Sequence, residues 1–324
     1  MPNTTRTQIP AEVNNFYDRT LLERVMPLLT HLSWAQVRDI PRNAGASVIK
    51  FRRYSNLAVA TTPLSEGITP VGSSLAVTDV TATALQYGDF VTITDVLNYE
   101  SEDPVLMEAA EVLGDQAAET LDNLGRDILT AGTSVSLSGS GHTLRSQIAA
   151  GEKITETLVK NSVLTLKLNN AKKITRMIDP STGYATTPVN ASFIGIIHPS
   201  VAGELYVAAS FPNFIPVEKY PNKSDVMPGE IGSTNQVRFI ETTDAKVFTG
   251  AGASSVDVYA TLIFGANAYG ITRVSGEAMK NIVKPLGSAG TADPLEQRAT
   301  SGWKATFVTK ILNNAFITRI ESAL

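Results

Sequence analysis

The chain has 324 residues, 43% of them hydrophobic and 18% charged, with a formal net charge of −4. That balance suits a globular chain able to bury a core, and it excludes the strong basic surplus that marks a nucleic-acid binder. Cysteine is absent, which excludes disulfide frameworks and thiolate metal sites. No apolar run reaches the length of about 18 residues that a membrane span needs. The opening MPNTTRTQIP lacks the apolar core of a signal peptide, so the expectation is a soluble chain made in a cytoplasm.

Residues 1–46 read as an arm. Val13, Phe16, Tyr17, Leu21, Leu22 and Val25 step by threes and fours, which predicts a short amphipathic helix limited by Pro27. Such a helix is too short to stand alone and packs on something else.

Residues 47–100 read as a long β-ribbon. SVIKFRRYSNLAVAT alternates along one arm, and VTDVTATALQYGDFVTITD is dense in strand-forming Val, Thr and Ile. TTPLSEGITPVGSS between them carries the Pro and Gly chemistry of turns, with Glu66 at its centre. Arms of about 15 to 20 residues would reach roughly 50 to 65 Å. A two-stranded ribbon of that length is marginal by itself and needs a partner surface. From Tyr54 to Asp95 there is no Lys or Arg, so a lysine-dependent isopeptide link at its tip is not expected.

Residues 101–152 contain the clearest helix. Asp103 is placed as its N-cap and Pro104 as its first residue. Leu106, Ala109, Leu113, Ala117, Leu121, Leu124 and Ile128 lie on one predicted face, and Gly132 follows as a stop. The predicted helix is roughly 42 Å long. Its other face is acidic, with Glu108, Glu111, Asp115, Glu119, Asp122 and Asp127 against Arg126 alone. TAGTSVSLSGSGHTL after it reads as a loop or hairpin.

Residues 153–275 read as a mixed α/β lobe. A helix is predicted from Glu156 to Met177, stopped at Asp179–Pro180. SFIGIIHPS reads as a strand and VAGELYVAA as a short helix. QVRFIETTDAKVFTG and VDVYATLIFGANAYGITRV supply further strands, with TLIFG central. Residues 276–324 return to the earlier part. MKNIVKPLG is a strand, Asp293–Pro294 a turn, and ATFVTKILNNAFITRIES one last strand. Trp303 is expected to be a buried anchor against the long helix. No internal repeat of 20 to 50 residues is visible.

The chemistry of catalysis is sparse. His31, His142 and His198 are the three histidines, far apart and without an HExxH spacing, so no metal site is expected. GSGH at 139–142 lacks the strand–turn–helix setting of a nucleophile elbow. GAGASS at 250–255 lacks the third glycine of a dinucleotide loop and precedes a strand. The acidic helix face reads as a solvated or partner-facing stripe rather than a catalytic carboxylate pair. Arg52 and Arg53 beside Tyr54 are weak evidence for phosphate contact. No enzyme activity and no cofactor are expected.

The order of arm, ribbon, spine helix, α/β lobe and returning strand resembles the Hong Kong 97-type major capsid protein fold of tailed bacteriophages, an α+β architecture. FRRYSNLAVATTPLSEGITP, LQYGDFVTITD, VRFIETTDAKVF and DPLEQRATSGWKA are similar to phrases of the N-four-like podophage major capsid proteins, in the same order. The resemblance implies an arm (1–46), an extended loop (47–100), a peripheral domain with the spine helix (101–152), an axial domain (153–275) and a return to the peripheral domain (276–324). It implies self-assembly through pentamers and hexamers into an icosahedral shell around double-stranded DNA. Its partners would be many copies of itself, a portal, decoration or scaffolding proteins, and DNA touched non-specifically, with no membrane. Its place would be the virion. The arm is too short for a large fused scaffolding domain.

In that setting the ribbon lies across a neighbour's spine helix or peripheral strands, with Arg52 and Arg53 opposite acidic positions such as Glu108, Glu111 or Asp115. Glu66, Glu296 and Arg298 are further contact candidates, and Lys172, Lys173 and Arg176 could face the interior. The alternative is the shell protein of an encapsulin-like nanocompartment. A hydrolase is disfavoured by the scarcity of His, and a carbohydrate-binding module by the presence of only Trp34 and Trp303.

Overall fold

A computed structural model describes residues 29–40, 48–54, 57–63, 66, 67, 69, 72–100, 105–179, 186–274, 279–288 and 293–324. The arm helix expected over residues 13–25, its stop at Pro27, and the Asp103–Pro104 cap lie outside the described residues.

Strand β1 (Gln36–Ile40) is followed by β2 (Val48–Tyr54), β3 (Val77–Thr83) and β4 (Leu85–Thr94), then by helices α1 (Asp95–Glu100) and α2 (Val105–Thr130). β5 (Val135–Leu137), α3 (Glu156–Leu168), β6 (Phe193–Ile197), α4 (Pro199–Leu205) and β7 (Ile215–Pro216) come next. β8 (Glu230–Thr234) and β9 (Val237–Glu241) form a hairpin. Its two turn residues, Asn235 and Gln236, have φ of 49° and 67°, the backbone that a tight hairpin turn demands. β10 (Val247–Phe248), β11 (Val258–Phe264), β12 (Tyr269–Val274), β13 (Met279–Lys284), β14 (Arg298–Ile311) and β15 (Ile317–Ser322) complete the order.

The ribbon is shorter than the alternation predicts. β2 and β3 pair antiparallel from Val48↔Thr83 to Tyr54↔Val77, seven residues on each side. The stretch LQYGDFVTIT does not extend that ribbon. As β4 it pairs with β14, from Leu85↔Phe307 to Thr94↔Arg298. Only Ala84 separates β3 from β4, so the chain changes sheets across one residue. The physical reason is that an isolated ribbon leaves both faces wet, whereas β14 offers a long partner already backed by a helix.

β14 is the centre of a five-stranded sheet. β4 runs along one of its edges. β13 and then β12 share the other, with Met279↔Ala305 in the first pairing and Tyr269↔Ile311 in the second. β1 adds parallel to β12. This sheet packs on α2 through Leu113, Ala117, Ala118, Leu121, Trp303, Ala305 and Phe307, with Leu32 beside them.

The buried stripe of α2 keeps Leu113, Ala117 and Leu121 of the predicted face but is shifted from the rest of it. Ala110, Leu113, Gly114, Ala117, Ala118, Leu121, Asp122, Gly125 and Leu129 are buried, while Leu106, Ala109, Leu124 and Ile128 are only half-buried. The helix is rotated toward its small residues. A Cβ on Gly125 would lie 2.5 Å from Leu32 Cδ2, so the absence of side chains there lets the neighbouring chain come close. Periodicity weighted by large apolar residues misses a seat made of small ones. The same rotation takes Asp122 off the solvated acidic face and into the interior.

The second sheet has eight strands in the order β5-β15-β11-β6-β9-β8-β7, with β10 beside β11. All five residues of β6 are buried, because both its faces are covered. Phe193 and Ile197 meet Val159, Val163 and Leu166 of α3 and Val201 and Leu205 of α4. Ile194 and Ile196 face Leu129 of α2, Phe264, Tyr269 and Ile317.

Two further expectations are corrected. The helix from Glu156 ends at Leu168, not Met177, because Asn170 takes φ of 57° directly after the Asn169 cap. The final segment is two strands in different sheets, β14 and β15. Between them, the Asn313 side chain accepts from Ala315 N at 3.2 Å and caps a short turn.

Candidate assembly surface

Among the described residues no group of three or more His, Asp or Glu is placed to hold a metal ion. No helix there is long and apolar enough to cross a membrane. Each histidine is held by a different partner. His31 is fully buried and its Nδ1 lies 2.5 Å from Asp122 Oδ2. His142 Nδ1 lies 3.0 Å from Ser138 O and 3.3 Å from Glu152. His198 caps α4, accepting from Ser200 N at 3.1 Å, and burial pushes its imidazole below the ordinary range. GAGASS forms a turn before β11, with Gly250 N donating to Asp257 at 2.7 Å.

Trp303 is 4% exposed. Its Nε1 donates to Gln116 Oε1 at 3.2 Å, and Gln116 Nε2 donates to Asp89 Oδ2 at 2.7 Å. One polar chain thereby links β14, α2 and β4. The bond from Gln116, followed by that from Phe90 N, holds the Asp89 carboxyl below its usual range.

The charged candidates are spread over several surfaces. Arg52 Nε donates to Asp79 Oδ1 of its own ribbon at 3.1 Å, an ion pair absent from the sequence reading. The two residues are directly opposite in register, and Asp79 holds the guanidinium above its already high range. Arg53 is exposed and lies on the same ribbon face as the buried Phe51. Glu66 is exposed in a turn next to Gly67, whose φ is 76°. Glu108 is exposed on α2, whereas Glu111 and Asp115 are half-buried and already engaged within their own chain.

Glu296 is exposed with φ of 55°, its carboxylate lying over Gly287. Arg298 N donates to the buried carboxylate of Asp293 at 2.8 Å, and Arg298 Nε lies 3.8 Å from the same oxygen. This turn is therefore closed on its own chain.

Two concave surfaces stand out. One, of about 720 Å³, runs over β4, β13 and β14 and is lined by Phe90, Ile282, Gly302 and Trp303 among others. Phe90 is 66% exposed, and among the described residues no strand pairs with the outer edge of β4. The other, of about 600 Å³, sits at the root of the ribbon and is lined by Arg38, Phe51, Arg52 and Arg53 with residues of the β14–β15 connection. Arg38 was not singled out from the sequence. Nothing local marks it; only the β1–β12 pairing brings it beside the ribbon.

No family model matches the chain, and no curated protein matches it. Solved structures do. The chain is similar to the capsid of Ralstonia phage GP4, with a TM-score of 0.65 at 12% identity, over 89% of this chain and 87% of that one. It is similar to the capsid structure of the cyanophage P-SCSP1u, with a TM-score of 0.61 at 13% identity, over 90% and 86%. The fold is the Hong Kong 97 capsid type. A virus-like particle from Pyrococcus furiosus also matches, at 13% identity over 96% of this chain and 100% of that one, with a lower TM-score of 0.50.

Proposed function

We propose that the chain is a major capsid protein, which assembles with copies of itself into the closed shell of a tailed bacteriophage. The observation that carries this reading is similarity of fold over roughly nine-tenths of both chains to phage capsids. The surface supports it. A capsid subunit turns over no substrate and works through repeated symmetric contacts. Exposed Phe90, Val91 and Leu85 on an unpaired strand edge are a liability in a monomer and an asset in an assembly.

In this reading residues 1–46 are the arm and residues 47–100 the extended loop. Residues 101–152 and 276–324 form the peripheral domain around α2, and residues 153–275 form the axial domain. Arg52, Arg53, Glu66, Glu108, Glu111, Asp115, Glu296 and Arg298 lie at contacts between copies. Each exposed pair contributes on the order of 1 kcal/mol or less, so apolar burial repeated over many copies supplies most of the stability. The partners include a portal, decoration or scaffolding proteins, and packaged DNA contacted without sequence preference. Assembly takes place in the host cytoplasm.

The test is sedimentation and negative-stain microscopy of the purified chain, alone and co-expressed with candidate scaffolding proteins. Closed shells or capsomer rings are the expected result. A chain that stays monomeric at high concentration in both cases would overturn the reading. The second reading, an encapsulin-like compartment, is favoured only by the Pyrococcus furiosus match at its lower TM-score. Shells purified from infected cells that hold protein cargo and no DNA would favour it. The finer placement among N-four-like podophages is supported by the phrases at 51–70, 85–95, 237–248 and 293–305. A virion with a long tail in which this chain is the most abundant band would overturn that placement.

A further inference from the structure

The cleft of about 600 Å³ at the ribbon root is basic throughout. Its lining includes Arg38, Arg52 and Arg53 and contains no Asp or Glu. Arg52 Nε is answered by Asp79 at 3.1 Å. Arg38 and Arg53 are exposed and have no ion-pair partner among the described residues. Asp39, next to Arg38, projects to the opposite face of β1 and is engaged elsewhere.

The fold brings the two free guanidiniums to one surface. Gln36 of β1 pairs with Gly270 of β12. A Cβ on Gly270 would lie 3.0 Å from Phe51 Cε1, so the missing side chain seats the ribbon root on the sheet. Arg53 shares the ribbon face of Phe51, and Arg38 shares the β1 face of Gln36. The floor is apolar, with Phe51 5% exposed and Leu312 and Phe316 half-buried. Two amides border it. Asn313 uses its side-chain oxygen to accept from Ala315 N at 3.2 Å, which leaves Nδ2 to donate. Asn267 is exposed in the turn between β11 and β12, with φ of 61°.

The surround adds positive charge. Lys160, Lys167, Lys172, Lys173 and Arg176 fall between residues 157 and 178, with no Asp or Glu among them. Lys172 O accepts from Ala266 N at 2.8 Å, which sets this run beside the Asn267 turn. Burial, then the nearby Lys167, pushes the Lys173 ammonium below its ordinary range. A chain of net charge −4 thus gathers cations around one concavity, whose low-dielectric walls focus their field.

That chemistry selects a ligand class. Guanidinium forks match phosphate oxygens two at a time, and several of them match a chain of phosphates. An apolar floor edged by amide donors suits a planar base. Duplex DNA carries the same phosphates but keeps its bases stacked inside, so it cannot use the floor. We propose that the cleft binds a nucleoside polyphosphate, with Arg38 and Arg53 holding the phosphates and the base lying on Leu312 and Phe316 beside Asn267 and Asn313. The inference goes beyond the capsid reading and does not rest on it.

The test is calorimetry of the purified chain with ATP, inorganic tripolyphosphate and a short DNA duplex, without divalent cations. ATP is expected to saturate at one per chain. Tripolyphosphate, which has no base, is expected to bind about tenfold more weakly, and the duplex more weakly than ATP. R38A/R53A is expected to lose affinity for ATP about tenfold or more, and R38K/R53K, which keeps the charge but not the forks, at least about threefold. K284A/K304A removes two positive charges from the other concave surface. It is expected to leave the affinity within about twofold, because distant exposed charges are screened. An unchanged melt without ligand shows that each variant folds. If R38A/R53A does not fold, R38K/R53K decides the matter. No saturable ATP binding, an equal loss in K284A/K304A and R38A/R53A, or tripolyphosphate or duplex binding as tightly as ATP would each overturn the proposal. Shell and ring formation is scored separately by sedimentation of the same preparations, so the capsid reading stands or falls by itself.

Discussion

His31 and Asp122, 91 residues apart, are joined by two hydrogen bonds in the interior. The His31 backbone N–H donates to Asp122 Oδ1 at 2.8 Å, and the ring Nδ1 lies 2.5 Å from Oδ2. Both residues are fully buried, and the Tyr269 hydroxyl donates to the His31 carbonyl. Burial first, then the charge of Asp122, pushes the Tyr269 hydroxyl far above its usual range, so it stays a donor. The connection fastens the segment ahead of β1 to the middle of α2. D122A removes one acceptor group and strands two donors. It is expected to destabilise the subunit by about 3 kcal/mol in urea unfolding. A loss under 1 kcal/mol would show that the pair carries little of the connection.

Trp303 fills the space between α2 and the five-stranded sheet. W303A is expected to cost about 3 to 5 kcal/mol through the cavity it leaves. W303F keeps most of the ring but strands Gln116 Oε1, and is expected to cost less than half as much. Chemical denaturation of the two variants side by side checks the ranking.

Gly302 sits opposite Phe90 where β4 and β14 approach closely. A Cβ there would lie 2.7 Å from Phe90 Cβ and 2.9 Å from Asp89 O. Backbone cannot yield as the tip of a side chain can. G302A is therefore expected to cost about 1 to 3 kcal/mol. G203A, on α4, where a Cβ meets nothing within 4 Å, is the control and is expected to melt at or above the wild-type temperature.

Glu156 at the start of α3 accepts from Asn213 at 2.8 Å and from Asn235 at 3.0 Å, with Lys160 at 3.3 Å. The bond from Asn213 outweighs desolvation, and with Asn235 and Lys160 holds this carboxyl below the usual carboxylate range. A carboxyl depressed in the folded state stabilises above its unfolded value, and that stability is lost as pH falls through the folded one. Stability is therefore expected to hold from neutral pH down to about pH 4.5 and to fall below it. N213A is expected to flatten that acid limb. Melting curves at pH 7 and pH 3 for wild type and variant measure the difference.

Much of the local structure was legible in the sequence because local chemistry decides it. The periodicity of residues 106–128 marks α2 without any partner. The unbroken apolar run in TLIFG marks a central strand, buried in β11, and DPLEQR marks a turn. The absence of Cys and the scatter of His bounded the chemistry.

Where these elements go depends on contacts between residues distant in the chain, which no local pattern encodes. LQYGDFVTIT reads as the second arm of a ribbon because it has the composition of a strand. Its partner is β14, more than 200 positions away, because that strand offers a longer and better-backed edge. Asp122 reads as part of a solvated acidic stripe until Gly114, Ala118 and Gly125 let α2 turn its small-residue side inward. Arg38 carries no signal until the β1–β12 pairing sets it beside Arg53. Local pattern set the kinds of element, and the absence of Cys ruled out thiol chemistry. Close packing in three dimensions decided the pairings, the seat of the spine helix and which charges were left unanswered, because burial and register are properties of the folded whole.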